Sequence, residues 1–264
     1  MRVFDELNIK SKLTLIIVVV SLGAVLTVGY LNWRFTRTTL TQTISNQLTS
    51  VRASKAAQIE TYFENIRHQV ETLCQDDMIV AAMVRFKKAF RKLNLQQISG
   101  EWQEEIERYY NDVFFPKLFA HLEGAPNLEL YTPDSQAALY LQYRYIVANL
   151  HSLDAKGEFS DAADGSEYNK FHKKYHPILR QWVTKFGYKD MFLVDIRNGD
   201  IVYTVDKGVD FATNLDTGPY RASNLAEVVA EVRRHPDLGA VRIMDFASYK
   251  PSYGASTAFI AGPI

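Results

Sequence analysis

Two histidines have the spacing of a metal-binding pair. His172 and His176 stand four residues apart, so on a helix both side chains lie on one face. The glutamate of an HExxH zinc motif is missing, and Pro177 directly follows the second histidine and disturbs the helix there. Asp161 and Asp164 likewise lack the alternating oxygen ligands of an EF-hand calcium loop. We therefore predict no metal site and no cofactor.

The sequence also lacks the recurring motifs of catalytic sites. It contains no phosphate-binding glycine loop of the GxxxxGK[ST] or GxGxxG type and no GxSxG nucleophile elbow. Cys74 is the only cysteine, so it forms no internal disulfide, and its apolar setting beside Leu73 favours a buried thiol over an intermolecular cross-link. The 30 basic and 30 acidic residues cancel, which argues against a nucleic-acid partner. We predict that the chain is not an enzyme.

Phenolic and carboxylate side chains in the last third of the chain have the chemistry to bind a small molecule. A carboxylate with phenolic hydroxyls can hold an ammonium group or a hydroxyl-bearing ligand. The candidates at predicted strand ends and capping loops are Tyr188, Tyr203, Tyr220, Asp245 and Tyr249. Structural roles compete with this interpretation, since Tyr203 can pack within a hairpin, Asp245 can cap a turn and Tyr220 can stack on its neighbouring proline.

A predicted strand, turn, strand and helix unit positions these candidates. Residues 191–196 and 201–205 are short runs rich in apolar, β-branched and aromatic residues, typical of strands. The Asn-Gly pair at 198–199 tolerates the positive φ angles of a tight turn, so the two runs are predicted to pair antiparallel. Ser223 and Asn224 then precede a predicted helix over residues 225–233.

Two more strands are predicted near the carboxy-terminal end. They cover residues 240–246 and 257–261 and are joined by the loop ASYKPSYGAS. A sheet that stops with the second of these strands is expected to be incomplete. Its open edge would be liable to pair with another chain.

These patterns resemble a known class of sensory module. The pattern FGYKDMFLVDIRNGDIVYTV, followed by DF, TNL, GPY and SNLA and ending in DFASYKPSYGASTAFIAGPI, resembles the extracytoplasmic Cache-type sensor regions of bacterial transmembrane receptors. Those receptors include methyl-accepting chemotaxis proteins, sensor histidine kinases and membrane-bound adenylate or guanylate cyclases. The resemblance implies a truncated Cache-like α/β part at 186–264. The arginine, tryptophan and aspartate arrangement of amino-acid-sensing Cache domains cannot be mapped here, so no particular ligand is implied.

Residues 13–31 have the composition of a transmembrane helix. They contain no charged side chain, and about 20 apolar residues cross a bilayer. A cleaved signal peptide is the competing interpretation, but the apolar core is unusually long and no small-x-small cleavage site stands out. Basic residues lie on both sides of this segment in similar numbers, so charge alone barely determines its orientation in the membrane. Together with the resemblance, a short amino-terminal tail predicts a cytoplasmic segment at 1–12, a single pass through the bacterial inner membrane and an extracytoplasmic main domain.

Helical patterns fill most of the chain between this segment and the predicted sheet. Residues 32–75 are predicted to form a long stalk helix, because apolar residues recur there mostly at steps of three or four. Its apolar stripe can pack onto its own domain or onto a second copy in a homodimer, and both remain open. Residues 76–185 are predicted to be the helical part of the sensor, with helices at 78–93 and 137–150 and one that begins at Ser166.

The predicted helix at 78–93 carries a strongly basic face. Its cations are Arg85, Lys87, Lys88, Arg91 and Lys92. We predict a solvated face that is neutralised by four glutamates between residues 101 and 107, rather than a phosphate or lipid site.

Together these observations predict an α+β fold. A transmembrane helix continues into the stalk, followed by a helical layer and an incomplete antiparallel Cache- or PAS-like sheet. The resemblance implies a sensory region that binds a small molecule and transmits the event through helix movement. The alternatives are the amino-terminal fragment of a membrane-bound histidine kinase or nucleotide cyclase, and a ligand-free dimerisation module.

Overall fold

The chain combines helices with two small antiparallel sheets, as the predicted α+β class requires. The structure is a computed structural model that describes residues 8–125, 127–237 and 239–264. It divides into two compact units, one up to Asn65 and one from Ile66 to Ile264. Residues 1–7 of the predicted cytoplasmic tail at 1–12 lie outside the described residues.

The first helix, α1, runs from Ile9 to Cys74 without interruption. It contains no proline, and the only two glycines in it, Gly23 and Gly29, lie in the apolar segment. By length and composition α1 can cross a membrane, and it is the one such helix in the described part of the chain. The predicted transmembrane and stalk segments are therefore parts of one helix, which ends one residue earlier than predicted.

The second unit contains seven further α-helices among the described residues. They are α2 (Asp77–Leu93), α3 (Gly100–Tyr109), α4 (Phe115–Phe119), α5 (Leu128–Tyr131), α6 (Gln136–Gln142), α7 (Glu167–Phe186) and α8 (Asn224–Arg234). π-helical segments Tyr110–Phe114 and Tyr143–Val147 follow α3 and α6, and 3₁₀ turns lie at Leu153–Glu158 and Lys250–Ser252. The helix predicted at 137–150 is thus part α-helix and part π-helix.

Local capping explains where the main helices begin and end. The Asp76 carboxylate accepts a hydrogen bond from the Met78 N–H at 2.8 Å, and the Ser166 hydroxyl accepts one from Asn169. Helix α7 contains Pro177 but continues to Phe186, where Gly187 adopts a left-handed conformation with φ of +75°. The predicted Ser166 and Ser223 caps are confirmed.

Two hairpins form the two sheets. Strand β1 (Phe192–Asp195) pairs antiparallel with β2 (Asp200–Thr204), and β3 (Arg242–Tyr249) pairs with β4 (Ala255–Ala261). The predicted Asn-Gly hairpin is confirmed, but only Gly199 takes a positive φ, of +81°. Strand β3 begins later and extends further than predicted, because it includes residues that were assigned to the loop.

Two buried clusters hold the second unit together. The first joins α2, α6 and α7 to one face of the β1–β2 hairpin through residues such as Phe86, Leu179 and Leu193. The second joins the segment from α3 to α4, helix α8 and the other face of the hairpin, where Phe192 and Val194 pack. Because successive strand residues point to opposite faces, α2 and α8 lie on opposite sides of β1.

Candidate functional site

A cavity of about 510 Å³ lies within the second unit, between the two hairpins. Most of its wall is apolar, and its volume falls within the range of small-molecule pockets. The wall consists of residues 188–197 with β1, residues 257–264 with β4, the last residues of α1, and parts of α2 and α8. A few polar side chains interrupt this wall, and they are the groups with the capacity to fix a ligand.

Asp210 is the polar residue of the cavity wall that is best placed to bind a ligand. This residue is only 2 % exposed, and the Tyr249 hydroxyl donates to its Oδ2 at 2.6 Å. Its other carboxylate oxygen, Oδ1, is buried without a hydrogen-bond partner among the described residues. Burial raises the pKa of Asp210 to about 6, and the hydrogen bond from Tyr249 and the nearby backbone N–H groups of residues 210 and 211, which do not reach hydrogen-bond geometry with Oδ1, oppose that rise. A buried carboxylate oxygen without a donor indicates a place for a ligand donor.

Gly208 makes room for this carboxylate. A Cβ atom at residue 208 would stand 2.7 Å from Asp210 Oδ1, which is closer than a real contact allows. Both Gly208 and Asp210 line the cavity. The glycine therefore permits Asp210 to keep its position at the cavity wall.

Asp190 is a second buried acid at the cavity, and both of its carboxylate oxygens already accept hydrogen bonds from the protein. Its Oδ1 accepts from the backbone N–H groups of residues 191, 205 and 206, and its Oδ2 accepts from the Thr204 hydroxyl at 2.7 Å. Burial raises the pKa of Asp190, and nearby Asp210 adds to that rise. Asp190 thus fastens the end of β2 to the segment before β1, which is a structural role.

Asp195, at the end of β1, neutralises part of the basic face of α2. Its carboxylate lies 2.8 Å from Lys87 Nζ and 3.2 Å from an Arg91 nitrogen. Burial alone would raise the pKa of Asp195, but hydrogen bonds from Lys87 and the Arg197 backbone lower it below its usual value. Lys92 of the same face pairs with Glu167. The sequence analysis was therefore wrong to expect the glutamates at 101–107 as the partners, because the fold brings distant acids to this face.

Replacing Asp195 with asparagine is expected to destabilise the second unit by about 1–2 kcal/mol. The change removes the buried negative charge and replaces one of the two acceptor oxygens with a donor NH₂ group, while Lys87 and Arg91 remain exposed enough to be hydrated. Urea unfolding at pH 7 measures the loss. The control is Glu158→Gln, because that glutamate pairs with Arg180 on an exposed surface and its loss is expected to change stability by less than about 0.5 kcal/mol. Equal effects of the two substitutions would contradict the role of Asp195.

His172 and His176 are buried core residues. Their rings stack at 4.3 Å between centroids on one face of α7, as their spacing predicted. His176 Nε2 donates to the Gly157 carbonyl at 2.8 Å, so its Nδ1 accepts from the Tyr203 hydroxyl at 2.7 Å. His172 Nδ1 donates to the Ser160 carbonyl. Among the residues that the structure describes, no group of three or more histidines, cysteines or acids is placed to hold a metal ion.

A buried lysine lies beside these histidines. Lys207 is 1 % exposed, its Nζ donates to the Thr204 carbonyl, and it stands 4.6 Å above the Tyr203 ring. No described carboxylate lies within ion-pair distance of it. Burial lowers the pKa of Lys207 and is also the main cause of the lowered pKa values of both histidines, to which the lysine charge adds.

The structure brings two of the five predicted ligand contacts to the cavity. Tyr188 and Tyr249 line it, and the Tyr188 hydroxyl also donates to the Gln69 side chain at 2.9 Å. Tyr203 and Tyr220 are buried in the two cores and do not line the cavity. Asp245 is exposed on β3, where its carboxylate accepts from the next backbone N–H.

The sequence analysis did not find Asp210, Gly208 or Lys207. Asp210 follows a glycine-containing loop after β2, and its position relative to Tyr249 depends on pairing between segments 39 residues apart. An acid within an apolar stretch was the one available signal, and it does not distinguish a cavity wall from a solvent-exposed loop.

Comparison with protein-family models, curated proteins and solved structures finds no significant match to this chain.

Proposed function

We propose that this chain is the extracytoplasmic sensory region of a membrane-anchored bacterial signalling receptor, and that it binds a small molecule beside Asp210. Three features support the proposal. Helix α1 is long and apolar enough to cross a membrane. The second unit encloses a cavity of ligand size. The sequence pattern of its carboxy-terminal third resembles Cache-type sensors, which are not enzymes themselves.

The observation that carries the proposal is the unpartnered Oδ1 of Asp210. A buried, acceptor-only carboxylate oxygen is satisfied by an N–H or O–H donor. An ammonium group also provides a compensating charge, which strengthens the hydrogen bond. The apolar wall excludes strongly hydrated ligands, so the ligand that fits best combines an amine or hydroxyl with an apolar body.

Signal transmission would follow from a shift between conformations. Leu73 and Cys74, at the end of α1, line the cavity together with residues of α2. A ligand that binds better to one arrangement of these residues favours that arrangement in proportion to its differential affinity. Because α1 also contains the apolar segment, it is the element through which such a shift would be transmitted.

A second copy of the chain is the proposed partner of α1 beyond its apolar segment. The apolar side chains of residues 40–62 remain about half exposed or more, which suits packing in a homodimer. Those side chains are Leu40, Ile44, Leu48, Val51, Ile59 and Tyr62.

Ligand binding is expected to raise the melting temperature of the full chain in lipid nanodiscs. The probes are hexylamine, hexanol and hexanoate, which share an apolar body and differ in the group offered to Asp210. A ligand at 100 times its Kd stabilises by about 2.7 kcal/mol, which a thermal-shift measurement detects. We expect the largest shift from the amine, a smaller one from the alcohol and none from the carboxylate.

Asp210→Asn is expected to abolish the shift caused by hexylamine. The matched control is Asp245→Asn, because Asp245 is exposed and does not line the cavity. Since the pKa of Asp210 is about 6, lowering the pH from 7 to 5 protonates the carboxylate and weakens amine binding about tenfold. An equal shift from hexanoate, or an unchanged shift in Asp210→Asn, would refute the site.

A further inference from the structure

Helices α2 and α7 pack side by side and present a basic surface to solvent. Arg85 of α2 lies over the rings of Phe171 and Tyr175 of α7, at 5.5 and 5.9 Å from their centroids. Seven residues further along α2, Lys92 pairs with Glu167 in the first turn of α7. Because a helix rises about 1.5 Å per residue, these two contacts bound a surface that is about 10 Å long.

Four exposed cations of this basic surface have no acid within ion-pair distance among the described residues. Glu167 pairs with Lys92, while Asp161 pairs with a neighbouring lysine of α7. Asp195 is shared by two further cations of α2. The cations without an acid are Arg85, Lys88, Lys170 and Lys174. They create a local excess of positive charge, because the glutamates that were expected to neutralise this face, at 101–107, do not pair with it.

The cations without an acid lie close to one another. The pKa of Glu167 is lowered below its usual value, first by the hydrogen bond from its lysine partner and further by the charges of Lys88 and Lys170. Lys88 of α2 and Lys170 of α7 therefore approach the same acid from two helices. The other two cations lie 5.3 and 5.9 Å from the centroid of the Tyr175 ring. The four charges thus form one continuous surface across α2 and α7.

We infer that the basic surface binds a linear polyanion, namely a chain of phosphate groups. Lysine and arginine are the usual partners of phosphate in proteins. One exposed lysine contributes little by itself, but several contacts with the same chain act together. A flexible chain can follow the cations and avoid Glu167, which lies among them, whereas the flat headgroup layer of a membrane would meet that acid as well. This binding does not depend on the cavity, so it goes beyond the proposed function.

Fluorescence anisotropy with the full chain in phosphatidylcholine nanodiscs tests the basic surface. The probe is labelled long-chain inorganic polyphosphate. We expect saturable binding that weakens about 50-fold between about 50 and 200 mM salt, because contact with four phosphates of a flexible chain releases that many counterions. Vesicles of phosphatidylglycerol are expected to compete less well than unlabelled polyphosphate at equal phosphate concentration. Absence of saturable binding, or stronger competition by the vesicles, would overturn the inference.

Removal of two cations tests the protein side of this contact. Lys88→Gln/Lys170→Gln is expected to bind polyphosphate about tenfold more weakly, because half of the unpaired charge is lost. The matched control is Arg221→Gln/Lys250→Gln, which removes the same charge from exposed residues on other elements and is expected to bind within about twofold. Circular dichroism melts verify that both variants fold. Equal weakening in the two variants would show that total charge accounts for binding and would overturn the inference.

Glu167→Gln is expected to bind polyphosphate about fivefold more tightly than wild type. The change removes a negative charge from the basic surface and releases Lys92 for contact with phosphate. A gain of this kind cannot result from loss of structure, so it separates binding from folding. Unchanged or weaker binding by a folded Glu167→Gln variant would overturn the inference. Asp210→Asn is expected to keep polyphosphate binding while it loses the effect of hexylamine, so the two proposals fail separately.

Discussion

Acidification from pH 7 to pH 5 is expected to lower the free energy of unfolding by about 2 kcal/mol through His176, with His172 acting in the same direction. Both are buried, and burial lowers their pKa values, to about 3 in His176. The two histidines take up protons near pH 6.5 in the unfolded chain, whereas in the folded chain they stay neutral at that pH. The stability contributed by the neutral histidines is therefore complete above pH 6.5 and is lost as the pH falls. His176 accounts for about 2 kcal/mol of this loss at pH 5.

Urea unfolding at several pH values measures this effect by comparison with His172→Gln/His176→Gln. Glutamine does not titrate, and at residue 176 it can still bond to Tyr203 and Gly157. Asp190 and Asp210 act in the opposite direction, because their pKa values are raised and their protonation favours the folded state as the pH falls. The difference between wild type and variant cancels that contribution. Identical pH dependence in the two proteins would contradict burial of neutral histidines.

Truncation of Tyr203 is expected to have the second large effect, with Tyr203→Ala lowering the free energy of unfolding by about 3–5 kcal/mol. Tyr203 is fully buried and stacks on the Phe86 ring at 4.7 Å. Tyr203→Phe keeps the ring and leaves His176 Nδ1 without its donor, so a smaller loss of about 1–3 kcal/mol is expected. Denaturant unfolding followed by near-ultraviolet circular dichroism distinguishes the two variants.

The Tyr203→Phe variant also tests whether Tyr203 packs in the core or binds the ligand. Because Tyr203 does not line the cavity, Tyr203→Phe is expected to keep the melting-temperature shift caused by hexylamine. Phe246→Ala is the control for stability, since Phe246 is 65 % exposed and its truncation is expected to change stability by less than about 0.5 kcal/mol. Loss of the hexylamine shift in a stable Tyr203→Phe variant would show that Tyr203 contacts the ligand.

The sequence by itself determined most of the local structure. The apolar run at 13–31 predicted a helix of membrane-crossing length, and the predicted caps Ser166 and Ser223 lie where helices begin. The Asn-Gly pair located the turn of the first hairpin. These signals are readable because their causes lie within a few residues. A cap bonds to a backbone group two or three residues ahead, and turn conformation depends on the residues in the turn.

The tertiary structure alone decided which polar groups meet. Lys87 pairs with Asp195 across 108 residues, and the Tyr249 hydroxyl reaches Asp210 across 39. Tyr203 and Asp245 have similar strand settings in the sequence, yet one is buried beside His176 and the other is exposed. Burial and pKa shifts come from everything packed around a group, and segments distant along the chain supply most of it. Packing of whole elements, rather than any local pattern, therefore leaves one Asp210 oxygen at the cavity wall without a partner among the residues that the structure describes.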